Sequence, residues 1–281
     1  MKIIIGRHVS LSSPDYLLGA LNESISYGAN SFMIYTGSPQ NTFRKSVSDL
    51  KIGEFKKKLK ENFLEIDNIV VHASYLINLA NTLDKAKSAW STMFLKQEIS
   101  IMDQIGLKTL VLHPGSSLGA DKNVALESIA SLLNKVLSTD SNVRIALETM
   151  SGRKNELGVN FDEIKFIIDR VDLKEKIGVC WDTCHLYSSG YDIKDKLDEV
   201  IKEFDEKIGI EKLWVIHLND TVNPINSRKD RHANIGKGCL GFQKLKDIVY
   251  HKDFTSVVKI LETPTKDEFY KDEIKLIKYS S

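Results

Sequence analysis

Residues 214–238 contain side chains that can bind metal ions. An apolar run ends in His217, and a polar loop then supplies Asp230 and His232 with one residue between them. Deprotonated nitrogen and oxygen donors on a stiff support are what a borderline cation such as Zn²⁺ requires. Basic side chains in the same loop suit an anionic substrate, and these are Arg228, Lys229, Arg231 and Lys237.

Other residues of ligand type stand directly after apolar runs that are typical of buried β-strands. In a parallel barrel all strand C-termini open onto one face, so the side chains that follow the strands would converge on one site. His185 can join this site from a loop, as can Asp230 and His232. The six residues that directly follow a predicted strand are His72, His113, Glu148, Asp182, His217 and Glu262.

The number of these residues favours metal binding over a structural role. A single histidine or glutamate at a strand end is more often a hydrogen-bonding residue than a ligand. Five imidazoles and four carboxylates at one barrel mouth would repel or desolvate one another unless cations neutralised them. Nine ligands divide among about three zinc ions at three or four ligands each, with positions left for water and substrate.

The order of predicted elements is that of an α/β protein with a single-domain (β/α)8 TIM barrel over residues 1–281. A doubly wound open sheet would require a G-x-G-x-x-G turn after the first strand, and the sequence G-R-H-V-S-L-S-S is not one. The predicted strands cover residues 1–9, 31–35, 68–71, 109–112, 143–147, 177–181, 213–216 and 256–261. Predicted helices cover residues 14–27, 49–62, 84–105, 122–137, 161–169, 193–208 and 242–250, with one more at the end.

The composition excludes several classes of protein. Apolar residues make up 42% and charged residues 27% of the 281 residues, which is typical of a globular protein with a large core. The sequence has no run of about 18 apolar residues for a membrane helix and no signal-peptide pattern in residues 1–10, so we expect a cytoplasmic protein. Three cysteines are too few for a disulfide framework. A net charge of +1 leaves attraction to nucleic acid to local patches.

Seven motifs of this chain, in this order, closely resemble the endonuclease IV family of apurinic/apyrimidinic endonucleases. The resemblance runs over nearly the whole chain. It implies a barrel that holds three Zn²⁺ ions, and we expect a monomer. The motifs are V-H-A-S-Y-L-I-N-L-A, L-H-P-G-S, L-E-T, G-V-C-W-D-T-C-H, H-L-N-D-T, D-R-H-A-N-I-G-K-G and I-L-E-T-P.

The resemblance also implies how the ligands divide and what the protein acts on. One ion would take His72, His113 and Glu148, and the third would take His185, Asp230 and His232. The second would share Glu148 and add Asp182, His217 and Glu262. The implied substrate is double-stranded DNA, cut on the 5′ side of an abasic site or freed of a 3′-blocking group. Glu148 and Glu262 would be the catalytic residues, orienting and deprotonating the attacking water.

Three loops are predicted to contact DNA. Tyr75 and Leu76 match a Tyr and Leu that penetrate the duplex in the family, and a wedge of this kind can expose an abasic nucleotide. The loop after the second strand contributes Gln40, Asn41 and either Phe43 or Arg44. The basic loop contributes phosphate contacts that do not read sequence, from Arg228 and Arg231 with Lys229 and Lys237 beside them.

Two other functions are weighed against this one. Metal-dependent barrel sugar isomerases and epimerases use similar ligands, but they typically need one or two ions and a closed pocket. The third set, which includes Asp230 and His232, argues against that class. A zinc-stabilised module that binds damaged DNA without cutting it would not require ligands for a pair of ions that generates a nucleophile.

Overall fold

The computed structural model describes residues 3–264 and 267–279. Eight parallel strands form one sheet in the order β1-β10-β7-β6-β5-β4-β3-β2, with a two-stranded ribbon, β8 and β9, inserted between β7 and β10. The strands are β1 (Ile5–Arg7), β2 (Phe32–Ile34), β3 (Ile69–His72), β4 (Thr109–Leu112), β5 (Arg144–Glu148), β6 (Ile177–Asp182), β7 (Leu213–His217), β8 (Asp220–Thr221), β9 (His232–Ala233) and β10 (Val258–Leu261).

The sheet closes into a barrel where its first and second strands meet. His8 and Met33 form a parallel bridge, and the Val9 amide donates to the Met33 carbonyl at 2.9 Å. Gly6 is required at this seam, because a Cβ there would lie 1.9 Å from the Ser31 carbonyl oxygen. The predicted TIM barrel is therefore confirmed.

Helices cover the outside of the barrel, and apart from one short helix after β6 they follow the order that the sequence predicts. Among the described helices, none is both long enough and apolar enough to cross a membrane. They are α1 (Tyr16–Ser26), α2 (Ile52–Glu61), α3 (Lys85–Ile105), α4 (Lys122–Val136), α5 (Phe161–Asp169), α6 (Thr183–Ser189), α7 (Leu197–Lys207), α8 (Phe242–Tyr250) and α9 (Asp267–Tyr279).

The region after β6 differs from the prediction. The sequence predicts a single helix over residues 193–208, but the chain forms α6 directly at the strand end and α7 later. The Asp182 carboxylate caps α6 by accepting the His185 amide at 2.8 Å, which satisfies a free N–H group of the first turn. Every residue of α6 is buried, so the segment lacks the polar face by which an outer helix is recognised in sequence.

The interior of the barrel sets the position of the functional side chains. Because side chains alternate across a strand, a residue two positions after an interior residue points to the same side. Val70 and Val111 lie in the interior, and His72 and His113 follow each by two positions. The interior cluster consists of Met33, Val70, Val111, Ala146, Cys180, Val215, Val258 and Ile260.

Candidate metal centre

The ends of β3, β4 and β5 bring together a first group of ligand-type side chains. The Nε2 atoms of His72 and His113 lie 3.1 and 3.2 Å from Oε2 of Glu148. One donor atom from each of the three residues lies within 4.8 Å of the others. The carboxylate of Glu148 is almost fully buried, whereas the His113 side chain is about one-third exposed, at 29%. This group therefore opens towards solvent on one side.

A second group shares Glu148 and lies deeper in the mouth. Nδ1 of His217 is 3.3 Å from Oε1 of Glu148 and 3.1 Å from Oε2 of Glu262. The Asp182 carboxylate is 4.0 Å from the same nitrogen. The His217 and Asp182 side chains have no exposed surface. Four donors from four different strand ends therefore converge here, as the parallel barrel predicts.

A third group combines helix α6 with the inserted ribbon. Nε2 of His185 and Nε2 of His232 both lie 3.4 Å from Oδ1 of Asp230. His232 also approaches Oδ2 of Asp182 at 3.5 Å, so the second and third groups adjoin. The structure thus brings all nine predicted ligands to the mouth of the barrel.

Hydrogen bonds to the main chain orient three of the imidazoles. Each of these rings has Nδ1 within hydrogen-bond distance of a backbone carbonyl, which makes Nδ1 the donor and leaves the lone pair of Nε2 facing the cluster. This arrangement is typical of metal-binding histidines, because the second nitrogen fixes the tautomer and the ring orientation. The pairs are His72 with Ala73 O at 2.8 Å, His185 with Thr149 O at 2.9 Å and His232 with Glu262 O at 3.0 Å.

Two of the inward-facing nitrogens have no hydrogen-bond partner. Nε2 of His185 and of His232 is buried and makes no hydrogen bond within the described part of the chain. A buried polar atom without a partner is costly unless something else satisfies it. Imidazole nitrogens and carboxylate oxygens within 4.8 Å of one another match the donors that Zn²⁺ prefers, so the residues fit the metal.

The electrostatics of the cluster also favour positive charge at its centre. Burial by itself would raise the pKa of Glu148, but the imidazoles of His217 and His113 hold it well below the usual carboxyl range. Burial would lower the pKa of His185, yet nearby carboxylates, with Asp182 foremost, raise it well above its usual value. The carboxylates therefore require positive charge, either as protons on the imidazoles or as bound cations.

Two polar residues that the sequence motifs did not single out hold the ligands in place. Nδ2 of Asn219 donates to Oδ2 of Asp182 at 2.7 Å and to Oε2 of Glu262 at 3.4 Å. The hydroxyl of Thr149 accepts the Asp182 amide at 3.0 Å. Both lie next to ligands in the motifs H-L-N-D-T and L-E-T, and that proximity is the signal that could have identified them.

Other side chains near the cluster were not predicted either. The His8 ring lies 4.7 Å from the Tyr35 ring, and the Tyr35 ring lies 5.3 Å from that of His72. Burial lowers the pKa of His8 to about 4, so this imidazole is neutral near pH 7. Cys184 also lies here, with its sulfur within 4.8 Å of donor atoms of Asp182 and His232.

An exposed aromatic side chain and an exposed aliphatic side chain lie in the loop after β3, at the rim of the barrel mouth. The Tyr75 and Leu76 side chains are 55% and 41% exposed. The Tyr75 ring lies 5.7 Å from the His113 ring, and the Tyr35 hydroxyl donates to the Tyr75 hydroxyl. The cavity beside them has a volume of about 580 Å³, and it is lined by Tyr75 and most of the ligand set. Tyr75 therefore lies at the edge of the ligand cluster, and Leu76 is the next residue in the chain.

Arg44 does not lie where a DNA contact requires it. Its guanidinium pairs with the Glu98 carboxylate at 2.6 Å, and the side chain is only 2% exposed. Three backbone carbonyls of its own loop accept further hydrogen bonds from Arg44. This prediction is corrected: the buried Arg44 side chain holds the loop inward, because its Nε donates to Glu98 and its Nη1 to carbonyls of the loop. Gln40 and Asn41 remain exposed, and Phe43 is 65% exposed.

The basic loop lies on the surface. Arg228, Lys229, Arg231 and Lys237 are all exposed. The Arg228 amide donates to the Ser188 carbonyl at 3.0 Å, which ties the loop to α6. This contact holds the loop that contains Asp230 against the helix that contains His185.

Comparison with known proteins agrees with this geometry. A family model described as "Xylose isomerase-like TIM barrel" matches residues 21–280. A probable endonuclease 4 of Acholeplasma laidlawii (strain PG-8A) is 43% identical over 280 residues, covering 98% of this chain and 95% of the relative. One from Geobacillus sp. (strain WCH70) is 47% identical over 281 residues, covering 98% and 94%.

Two solved structures resemble this chain to different degrees in fold and in sequence. The crystal structure of endonuclease IV from Thermus thermophilus superposes with a TM-score of 0.84 at 27% identity and covers 97% of each chain. A D-tagatose 3-epimerase-like protein superposes with a TM-score of 0.67 at 20% identity, covering 97% of this chain and 98% of its own, which shows a shared fold alone. With relatives above 40% identity over nearly its whole length, the chain belongs to the endonuclease IV family.

Proposed function

We propose that this protein is a zinc-dependent apurinic/apyrimidinic endonuclease that acts on double-stranded DNA as a monomer. It hydrolyses the phosphodiester on the 5′ side of an abasic site, leaving a 3′-hydroxyl and a 5′-deoxyribose phosphate. The same chemistry removes blocking groups from 3′ ends. Membership of the endonuclease IV family supports the reaction class.

One observation carries the metal requirement: three imidazoles donate from Nδ1 to a backbone carbonyl and face a carboxylate cluster. The three ligand groups would hold one Zn²⁺ each, with Glu148 shared by the first two. When bound, Zn²⁺ supplies Lewis acidity, which activates water and offsets negative charge on phosphate. Nine protein ligands for three ions leave positions for water and substrate.

Glu148 and Glu262 are the proton acceptors of the proposed reaction. Glu148 and Glu262 both face His217, at 3.3 and 3.1 Å, so their carboxylates are held at the centre of the mouth. They orient the attacking water and accept its proton as the oxygen bonds to phosphorus. The P–O3′ bond breaks, and the 3′ oxygen leaves with the electron pair and takes up a proton. No serine or cysteine is required as a nucleophile.

The rim recognises the missing base. Tyr75 and Leu76 stand exposed beside the cavity, and insertion of such side chains costs least where a base is absent. In the loop after β2, Phe43 takes the place of Arg44 as the candidate for insertion, because Phe43 is exposed and Arg44 is buried. Gln40 and Asn41 flank the duplex, and the exposed arginines Arg228 and Arg231 bind its phosphates.

A cleavage assay tests the proposal. The substrate is a duplex with one tetrahydrofuran residue, which mimics an abasic site but lacks the aldehyde needed for β-elimination. We expect one nick on the 5′ side whose 3′ end a polymerase can extend. A strong chelator should abolish the nick and added Zn²⁺ should restore it, with near three zinc ions per chain by elemental analysis.

Two results would contradict the proposal in different ways. Binding of the damaged duplex without a strand break would indicate a module that binds damaged DNA and does not cut it. A protein with one or two manganese or magnesium ions that leaves the duplex intact and converts a ketose would indicate a sugar isomerase or epimerase. The matched undamaged duplex is the control for nonspecific cutting.

A further inference from the structure

Arg153 lies in the loop after β5, at the edge of the cavity that contains the metal ligands. That cavity has a volume of about 580 Å³. Besides its histidines, its lining contains four acidic side chains and one arginine. Arg153 is the single lysine or arginine among the described residues that line it, and the four acidic residues are Glu148, Glu156, Asp230 and Glu262.

The main chain around Arg153 is held in place from two sides. The Arg153 amide donates to Oε2 of Glu156 at 2.9 Å, and the Ser151 hydroxyl donates to the same oxygen at 3.1 Å. The loop is also tied to the segment after β4, because Leu157 donates to the Gly115 carbonyl at 2.9 Å. The position of the Arg153 backbone is therefore set before any ligand binds.

The side chain of Arg153, in contrast to its main chain, is exposed and has only a weak partner. It is 58% exposed, and its ionic partner is Glu156, with Nε to Oε1 at 3.6 Å, which is longer than a hydrogen bond. Its guanidinium makes no hydrogen bond to any residue in 3–264 or 267–279. A planar group with five N–H donors matches the oxygens of a phosphate, which it can bind through two parallel hydrogen bonds.

We infer that Arg153 is a further catalytic residue, whose guanidinium binds a non-bridging oxygen of the phosphate that is cleaved. This inference rests on the proposed function. Glu148, Asp230 and Glu262 would be neutralised by the zinc ions that they hold. Arg153 and Glu156 are then the two charged side chains of the described lining that are not assigned to a metal ion, and of these two only Arg153 attracts a phosphodiester anion. The exposed ion pair with Glu156, at 3.6 Å, is weak enough for a bound phosphate to replace Glu156 as the closer partner.

The guanidinium of Arg228 lies close to this loop but lines a different cavity. A Cβ on Gly152 would be 2.6 Å from a terminal nitrogen of Arg228. Arg228 lines a neighbouring cavity of about 430 Å³ and not the one that contains the ligands. We therefore assign the cleaved phosphate to Arg153 and a flanking phosphate to Arg228.

The test uses product duplexes that the enzyme cannot cut again. Two nicked duplexes carry a tetrahydrofuran residue at the nick, one with a 5′-phosphate and one with a 5′-hydroxyl. Fluorescence anisotropy gives the affinity of the zinc-loaded protein for each. We expect Arg153→Gln to reduce the preference for the phosphorylated nick by roughly 10- to 100-fold, as for a charge-assisted hydrogen bond. Arg153→Lys should lie between the two.

The matched control is Arg170→Ala, since Arg170 is an exposed arginine paired with Glu127 at the end of α5. It should keep the wild-type preference. Zinc content and melting temperature, measured for each variant, separate a binding effect from a folding effect. An unchanged preference in Arg153→Gln, with the wild type still cutting the tetrahydrofuran duplex, would overturn the Arg153 assignment alone. A wild type that does not cut would overturn the proposed function instead.

Discussion

The centre of the barrel mouth and its rim are built in different ways. At the centre, Glu148 and His217 are 1% and 0% exposed and are the last residues of β5 and β7, so the register of the sheet sets their position. At the rim, Tyr75 and Phe43 are 55% and 65% exposed and stand on loops. Changes at the centre should therefore remove chemistry, whereas changes at the rim should weaken DNA binding and leave the chemistry intact.

Two arginines in loops after strands show how much the rim depends on tertiary contacts. Arg44 is 2% exposed against Glu98, whereas Arg153 is 58% exposed beside Glu156. Both have a glutamate partner, but Glu98 lies on α3, 54 residues away, and Glu156 lies three residues away. An arginine that a distant helix buries stabilises the fold, while one held only locally remains available to a ligand.

The largest effect is expected at the centre. Glu148→Gln removes the shared carboxylate and should lower kcat/KM on the tetrahydrofuran duplex by roughly 10³-fold or more, because both proton transfer and charge at the centre are lost. Steady-state cleavage measures this, and thermal unfolding serves as the control for folding. Turnover within about tenfold of the wild type would falsify the central role of Glu148.

A second change tests the buried pair behind the rim. Arg44→Ala leaves the Glu98 carboxylate buried without its partner and should reduce the free energy of unfolding by about 3–5 kcal/mol. Denaturant titration measures the loss. Arg170→Ala breaks an exposed pair with Glu127 and should change stability by about 1 kcal/mol at most. Equal effects of the two variants would show that Arg44 is not a buried anchor.

A third change acts at the rim alone. Tyr75→Ala should weaken binding of the abasic duplex by roughly tenfold or more, since base–aromatic stacking contributes about 1–3 kcal/mol, and zinc content should not change. Gel shift and elemental analysis of the same preparation report the two quantities. Tyr279→Ala is the control, because Tyr279 is 76% exposed on α9. Loss of zinc together with binding would place Tyr75 in the centre and not the rim.

The smallest effect is expected in the basic loop. Arg231→Ala removes one exposed charge and should weaken binding to damaged and undamaged duplexes alike, by a few-fold. The slope of log affinity against log salt should fall by about 1 if one phosphate contact is lost. Affinity measured between low and physiological salt tests this. A loss restricted to the damaged duplex would mean that Arg231 reads the lesion and not the backbone.

The strands and the ligands at their ends could be predicted from local signals. An apolar run of β-branched residues followed by His or Glu specifies both a buried strand and a polar side chain at its C-terminal end. The parallel barrel then brings those ends to one face, so predicting the fold also predicted the convergence of His72, His113, Glu148, Asp182, His217 and Glu262. The family resemblance added the division into three sets.

Only the tertiary structure decided the supporting contacts and the use of each arginine. Asn219 donates hydrogen bonds to Asp182, which is 37 residues away in the chain, and to Glu262, which is 43 residues away. Arg44 is buried against the carboxylate of Glu98 on α3. Neither pairing has a local sequence signal, because a polar side chain has the same character whether a distant partner satisfies it or solvent does. Strand periodicity is local and can be read from sequence, whereas the partner of a loop side chain depends on how the loops pack.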